Sequence, residues 1–131
     1  MPTSRPLAEE EKRVLAAFAE ATPDPVLLVD TQMRMIAGNS AVRALLPAAR
    51  VGDAMTIGLR APVVLDAVRR VCAGGVAETV RWIERVPVEQ VFDVRVAPVP
   101  LDGVIVVALV MRDLTDAIRA ERMRTDFVAN A

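Results

Sequence analysis

Val104-Ile-Val-Val-Ala-Leu-Val-Met-Arg-Asp-Leu-Thr115 is the stretch that decides how the rest of the chain must fold. From Val104 to Met111 it is apolar without alternation, which suits a strand covered on both faces. The run is far shorter than the ~18 apolar residues needed to cross a bilayer. After Arg112 the pattern changes. Residues 116–131 are charged, with apolar side chains on a helical period, so the strand passes almost directly into a helix. Asp113 or Thr115 is expected to cap that helix by accepting from its free N–H groups.

Working back from this strand, Pro98 and Pro100 with Asp102-Gly103 are expected to form the hairpin that leads into it. Before them, Phe92, Val94 and Val96 alternate with Asp93 and Arg95, which reads as a strand over Val88 to Val96 with one wet face. Val76 to Val86 reads as the strand before that. Glu84 and Glu89 flank the Val86-Pro87 turn between the two and read as solvated turn carboxylates. Ala61 to Cys72 is a helix, with Pro62 in its first turn and Gly74-Gly75 as its stop. Val51 to Leu59 is irregular or in helical turns, and Ser40 to Leu46 is a short helix. Val26 to Val29 and Met33 to Ala37 are two short strands joined by a tight turn. Residues 6–21 form an amphipathic helix, with Leu7, Val14, Phe18 and Ala21 near helical spacing and Glu9, Glu10 and Glu11 at the positive end. Thr22-Pro23-Asp24-Pro25 stops it. The resulting order predicts an α+β domain, a five-stranded antiparallel sheet with helices on one face, flanked by N- and C-terminal helices.

Composition narrows the function. The 131 residues are enough for one core, and 53% hydrophobic against 25% charged residues exclude a disordered chain. Sixteen basic and seventeen acidic side chains leave a net charge of -1 without a block of either sign, so nucleic acid is not an expected partner. There is no histidine and no tyrosine, which removes the usual general base, the commonest metal ligand and the phenolic acid. Cys72 is the lone cysteine, so no internal disulfide can form, and a reducing cytoplasm fits. Gly74-Gly75 lacks the Lys-Ser/Thr of a phosphate loop. Most familiar catalytic constellations cannot be assembled, and the fragment is expected not to be an enzyme.

On this strand order, Asp113-Leu114-Thr115 resembles the Asp-x-Thr step by which PAS domains pass from their last strand into an output helix. Gly38-Asn39-Ser40-Ala41 is similar to the Asn-x-Ala step that follows their second strand. The resemblance covers residues 22–115. Beyond it, Glu121-Arg122-Met123-Arg124-Thr125-Asp126-Phe127-Val128-Ala129-Asn130-Ala131 resembles the segment that, in sensor histidine kinases, runs into Ser-His-Glu-Leu-Arg-Thr-Pro, the box holding the phosphoacceptor histidine. Among those kinases the phosphate-regulon sensor type is the best match. The resemblance implies three parts: a leading helix over 1–21, a PAS-like sensory domain over 22–115, and a signalling helix over 116–131 that leads into a dimerisation and phosphotransfer domain.

What the resemblance implies for function is a cytoplasmic sensory and dimerisation domain of a two-component kinase whose parent can be anchored in the inner membrane. Asp113 and Thr115 would couple sheet to helix, with Asn39 bracing the fold. Its partners would be a second copy of the chain, the kinase core of the same chain, and a response regulator reached through the full-length protein. The stripe Leu7, Val14 and Phe18 is expected to hold the larger share of a homodimer. The following helix offers a weaker seam, because Leu114, Ile118, Glu121, Thr125 and Val128 keep a four-three spacing with two polar members.

No cofactor is expected. A haem-binding member would normally offer histidine. Cys72 lies in Arg70-Val71-Cys72-Ala73, unlike the Asn-Cys-Arg-Phe-Leu type string of photoactive flavin members, and reads as a small buried side chain. A thioester chromophore would want a tyrosine. The alternative function is a stand-alone small-molecule or chromophore receptor, with Trp82 and Phe92 lining its pocket, although an aromatic on a strand is more often core.

Overall fold

A computed structural model describes residues 5–85 and 87–130. Val86, in the turn expected after the third strand, and Ala131, at the end of the signalling segment, lie outside the described residues, as do residues 1–4. The chain runs α1 (Glu9–Glu20), β1 (Val26–Val29), β2 (Met35–Gly38), α2 (Ser40–Leu45), a 3-10 turn at Met55–Ile57, α3 (Pro62–Cys72), β3 (Glu78–Glu84), β4 (Gln90–Leu101), β5 (Val104–Asp113) and α4 (Thr115–Ala129). The five strands form one antiparallel sheet in the order β2-β1-β5-β4-β3. The expected α+β class and five-stranded antiparallel sheet are what the chain adopts.

The apolar run of β5 sits where its pattern demands, in the centre of the sheet with a core on each face. Val107, Leu109 and Met111 point into the larger core, made with Leu27, Val29, Phe92, Val94, Val96 and the buried sides of α2 and α3. Val104 and Val106 point the other way, into a smaller core with Val26, Leu28, Ile36 and Ala19. Helix α1 supplies Ala19, Leu15 and Ala16 to that second core. The body helices α2 and α3 therefore cover one face, while the flanking α1 lies back across the other.

This places the expected stripe on two sides. Leu7, which precedes α1, packs against the second core, whereas Val14 and Phe18 face outwards, 53% and 77% exposed. The inward positions are Leu15, Ala16 and Ala19, one residue round from those the spacing favoured. Small alanines let the helix approach the sheet closely, which a search for large apolar residues overlooks.

The expected hairpin at Pro98 and Pro100 is corrected. β4 continues through both prolines, Pro98 opposite Val107 and Pro100 opposite Ile105, and the turn is confined to Asp102-Gly103, with Gly103 at φ 77°. The prolines are tolerated because β3 accompanies β4 no further than Val96, so beyond it β4 has a free edge where a missing N–H removes no ladder bond. At the end of α3, Gly74 takes φ 98° and Gly75 donates to the Arg70 carbonyl at 2.9 Å, so the glycine pair is the stop its sequence indicates.

Helix α1 is held at its start by Glu11, whose carboxylate accepts from the Ala8 N–H at 2.9 Å and from Arg5 at 2.7 and 2.8 Å. The Arg5 hydrogen bond first, and the Ala8 N–H second, bring the Glu11 carboxyl down from 4.5 to about 2. A depressed carboxyl stabilises the fold above its ordinary pKa, and this contribution disappears as pH falls through the lowered value. The Ala8 amide resonance is therefore expected to titrate with a midpoint of about 2, not 4.5. A pH series of amide spectra checks this, and Glu11→Gln should abolish the transition.

Candidate functional site

Three features gather at one end of the sheet, where β1 and β4 begin and β5 ends: the Asn39 junction, the Asp113-to-Thr115 junction and a surface groove.

Asn39 is 1% exposed and uses both ends of its carboxamide. Oδ1 accepts from the N–H groups of Val26 and Val42, each at 3.0 Å, so it caps α2 while fastening the start of β1. Nδ2 donates to the carbonyls of Asp24 at 2.7 Å, Ala19 at 2.9 Å and Thr22 at 3.3 Å. Its backbone N–H donates to the Val26 carbonyl at 3.2 Å. Glycine must precede it, because a Cβ at Gly38 would lie 2.6 Å from Val42 Cγ1. Beside this junction the Glu20 carboxylate accepts from Ser40 through both the backbone N–H and Oγ and pairs with Arg43 at 3.4 Å. The Ser40 hydroxyl above all holds the Glu20 carboxyl below the usual range.

At the second junction, of the two residues expected to accept from the helix's free N–H groups, Asp113 does so and Thr115 does not. Leu114 is the N-cap of α4 and its side chain makes no cap hydrogen bond. Asp113 Oδ1 accepts from the N–H of Thr115, the first residue of α4, at 2.8 Å, in a local turn that bends the chain out of β5. Thr115, buried, turns its Oγ1 to accept from the Val91 N–H at 2.9 Å, while the Leu114 N–H donates to the Val91 carbonyl at 2.7 Å. The β5 ladder ends at Asp113 opposite Phe92, so Leu114 and Thr115 take over the Val91 groups that β5 has left. The threonine hydroxyl serves the sheet, not the helix.

The groove, about 760 Å3, lies between the β3–β4 end and the helices. Leu45, Ile57, Val63, Trp82 and Phe92 line it, with Arg60, Glu84 and Gln90 as polar members. Trp82 and Phe92 stack with centroids 5.1 Å apart and are both buried, so they are core residues that also form the groove floor. Cys72 is half-buried with Sγ 3.7 Å from the Asp30 carbonyl, and burial pushes its thiol pKa up. That is the environment of an unreactive packing thiol.

Glu84 ends β3 exposed at the groove, whereas Glu89 is tied to α4. Glu89 accepts from Arg122 at 3.0 Å through its carboxylate and from Arg119 at 3.0 Å through its carbonyl. The sequence pointed to Trp82 and Phe92 of the groove but not to this contact. Arg119 and Arg122, three apart and so on one side of α4, were the signal available. Among the described residues no group of three or more His, Cys, Asp or Glu could hold a metal ion, and no helix is long and apolar enough to cross a membrane.

This architecture is the PAS fold. The chain is similar to the PAS domain from Bordetella pertussis BvgS, at TM-score 0.66 and 12% identity over 94% of this chain and 100% of that one. It is similar as well to the PAS domain of nitrogen regulation protein NR(II) from Vibrio parahaemolyticus, at TM-score 0.59 and 16% identity, covering 76% of this chain and 97% of that one. An RNA-binding light-oxygen-voltage receptor matches at TM-score 0.61 and 16% identity over 97% of this chain and 41% of its own length. No protein-family model matches the sequence, and no curated protein does. PAS domains are in general sensory and non-catalytic.

The Asn39 junction sets a measurable expectation. Asn39→Ala leaves buried N–H and C=O groups without partners, at about 1–3 kcal/mol for each group that water cannot reach. A loss of roughly 3–5 kcal/mol in urea unfolding is expected. Asn39→Asp keeps the two accepted bonds but cannot donate to the three carbonyls, so it should not restore wild-type stability.

Proposed function

We propose that this chain is the sensory and dimerisation PAS domain of a two-component sensor histidine kinase, of the phosphate-regulon sensor type. The observation that carries the reading is α4. It leaves the sheet through the Asp113-Thr115 junction, and from Arg119 to Asn130 every side chain is exposed, ending on the Asp126-Phe127-Val128-Ala129-Asn130 string that resembles the approach to a phosphoacceptor box. A helix with so little contact to its own domain suits a device that hands a change of angle to whatever follows it. In this reading the domain works in the cytoplasm, and the kinase core of the same chain passes phosphate to a response regulator. Asp113 and Thr115 couple sheet to helix, and Asn39 holds the frame against which they act. The coupling needs two helix arrangements, and a signal worth ~1 to 3 kcal/mol shifts their balance about 5- to 150-fold.

The second reading, a small-molecule receptor, is favoured by the groove floored by Trp82 and Phe92. A stoichiometric metabolite or a visible absorbance band carried by the purified protein would favour it over the first.

Two outcomes follow from the kinase reading. Replacing Asp113 with Ala and Thr115 with Val in the full-length protein should leave the domain folded, at about 1–3 kcal/mol for the unpaired Val91 N–H, while kinase output loses its dependence on the signal. Unchanged signal dependence would remove these two residues from the coupling. The homodimer is proposed to use the outward side of α1, where Val14 and Phe18 stand free of their own domain. Val14→Glu with Phe18→Glu should lower the mass in light scattering to that of a monomer without lowering stability, since neither side chain is part of the core. A variant that stays dimeric would assign the interface elsewhere.

A further inference from the structure

The first residues of β4 serve two structures at once. Gln90 and Phe92 line the groove, while the backbone of Val91 between them holds Leu114 and Thr115. Glu89, just before, reaches further along α4. Its carbonyl accepts from Arg119 Nη2 and its carboxylate from Arg122 Nη1, each at 3.0 Å, and Arg85 lies 3.7 Å from the other carboxylate oxygen. Arg119 and Arg122 stand about one and two turns beyond Thr115.

The contacts of α4 thus fall into two sets of different strength. The joint at Val91 is buried and made of short, partly main-chain hydrogen bonds. The Glu89 contacts are exposed, an ion pair with Arg122 and a hydrogen bond from Arg119 to the carbonyl, individually weak, the ion pair being screened by salt. Beyond the buried Thr115 and half-buried Ile118, the helix has no packed face to fix its direction among the described residues. A firm joint with a weak tie two turns along is a pivot with a latch.

We propose that Glu89 is a positioning residue that latches α4 at one of two angles about the Val91–Thr115 pivot, and that the groove controls the latch through its shared wall at Gln90. Only the use of this movement for signalling rests on the sensory reading above. The latch itself stands on the geometry of β4. An occupant pressing on Gln90 displaces the Glu89 carboxylate and carbonyl together, because the two residues are adjacent in one strand start. Two arginines on one carboxylate also give the released state a place to go, since Arg85 can keep Glu89 when Arg122 leaves the carboxylate and Arg119 the carbonyl.

Spin labels at Met123 on α4 and Thr79 on β3, in the whole chain with Cys72→Ala, read the angle as a distance distribution. In low salt the wild type should give one main distance. Glu89→Gln and Arg122→Gln should each move the population towards a second distance, changing the ratio about 1.5- to 5-fold per pair. High salt should do the same to the wild type and add little to Glu89→Gln. The reciprocal exchange Glu89→Arg with Arg122→Glu should recover the first distance. Val63→Phe, which narrows the groove from the α3 side, should shift the distance in the wild-type background and not in Glu89→Gln. A Glu89→Gln distribution identical to wild type, with the domain folded by circular dichroism, would overturn the latch. A Val63→Phe shift of equal size in both backgrounds, or none in the wild type, would overturn control by the groove. Kinase output is read separately in the full-length protein, so failure of the signalling reading and failure of the latch give different results.

Discussion

One carboxamide holds the frame together. Asn39 closes five hydrogen bonds through its side chain, to α1, to the turn after it, to β1 and to α2. No other side chain could do this from the same position. Aspartate has no donor for the three carbonyls, and an apolar residue would leave all of these groups buried without water. The direction in which α1 returns over the sheet, and the seat of α2 beside β1, both follow from satisfying that amide.

With α1 turned back, the central strand can be apolar on both faces. Val104 and Val106 would otherwise line a greasy sheet surface, and the small-residue side of α1 covers them. The sheet margins are managed by different means. Where β4 outruns β3, Pro98 and Pro100 remove the donors that a foreign strand would use. On the edge strand β3, Glu78 pairs with Arg70 and Arg81 with Asp93, which puts charge along the margin. These devices keep an apolar sheet from pairing with its neighbours.

Against this stiff body, α4 is the soft element. Its joint to Val91 is firm, but little apolar area holds the remainder, and the free energy separating its possible directions is correspondingly small. The proposed sensory role would use such a division. In the proposed latch a displacement would pass through the sheet with little loss because its interior is close-packed, and the helix would respond because little opposes it. Groove, pivot and ion pairs all meet the first residues of β4, so a change at the groove has a short route to the helix.

The amino-acid sequence by itself determined the element types, their order and the central place of β5, because hydrophobic period is a local property and an unbroken apolar run leaves few positions in a sheet. Asn39 and the Asp113-Leu114-Thr115 step were legible for the same reason, as polar residues set at fixed places between apolar runs. Which atoms those residues bind was not legible. Thr115 at a helix start reads as a cap, yet the end of β5 left the Val91 N–H open and a nearby hydroxyl took it. Pro98 and Pro100 read as turn residues, because only the sheet order reveals that β3 stops short of them. Glu89 read as a solvated turn carboxylate, since its arginines lie 30 and 33 residues away along the chain. The inward side of α1 was decided by tertiary structure too. A helix of alternating small and large apolar residues offers more than one stripe, and it was the close approach to the sheet that selected Leu15, Ala16 and Ala19 over Val14 and Phe18.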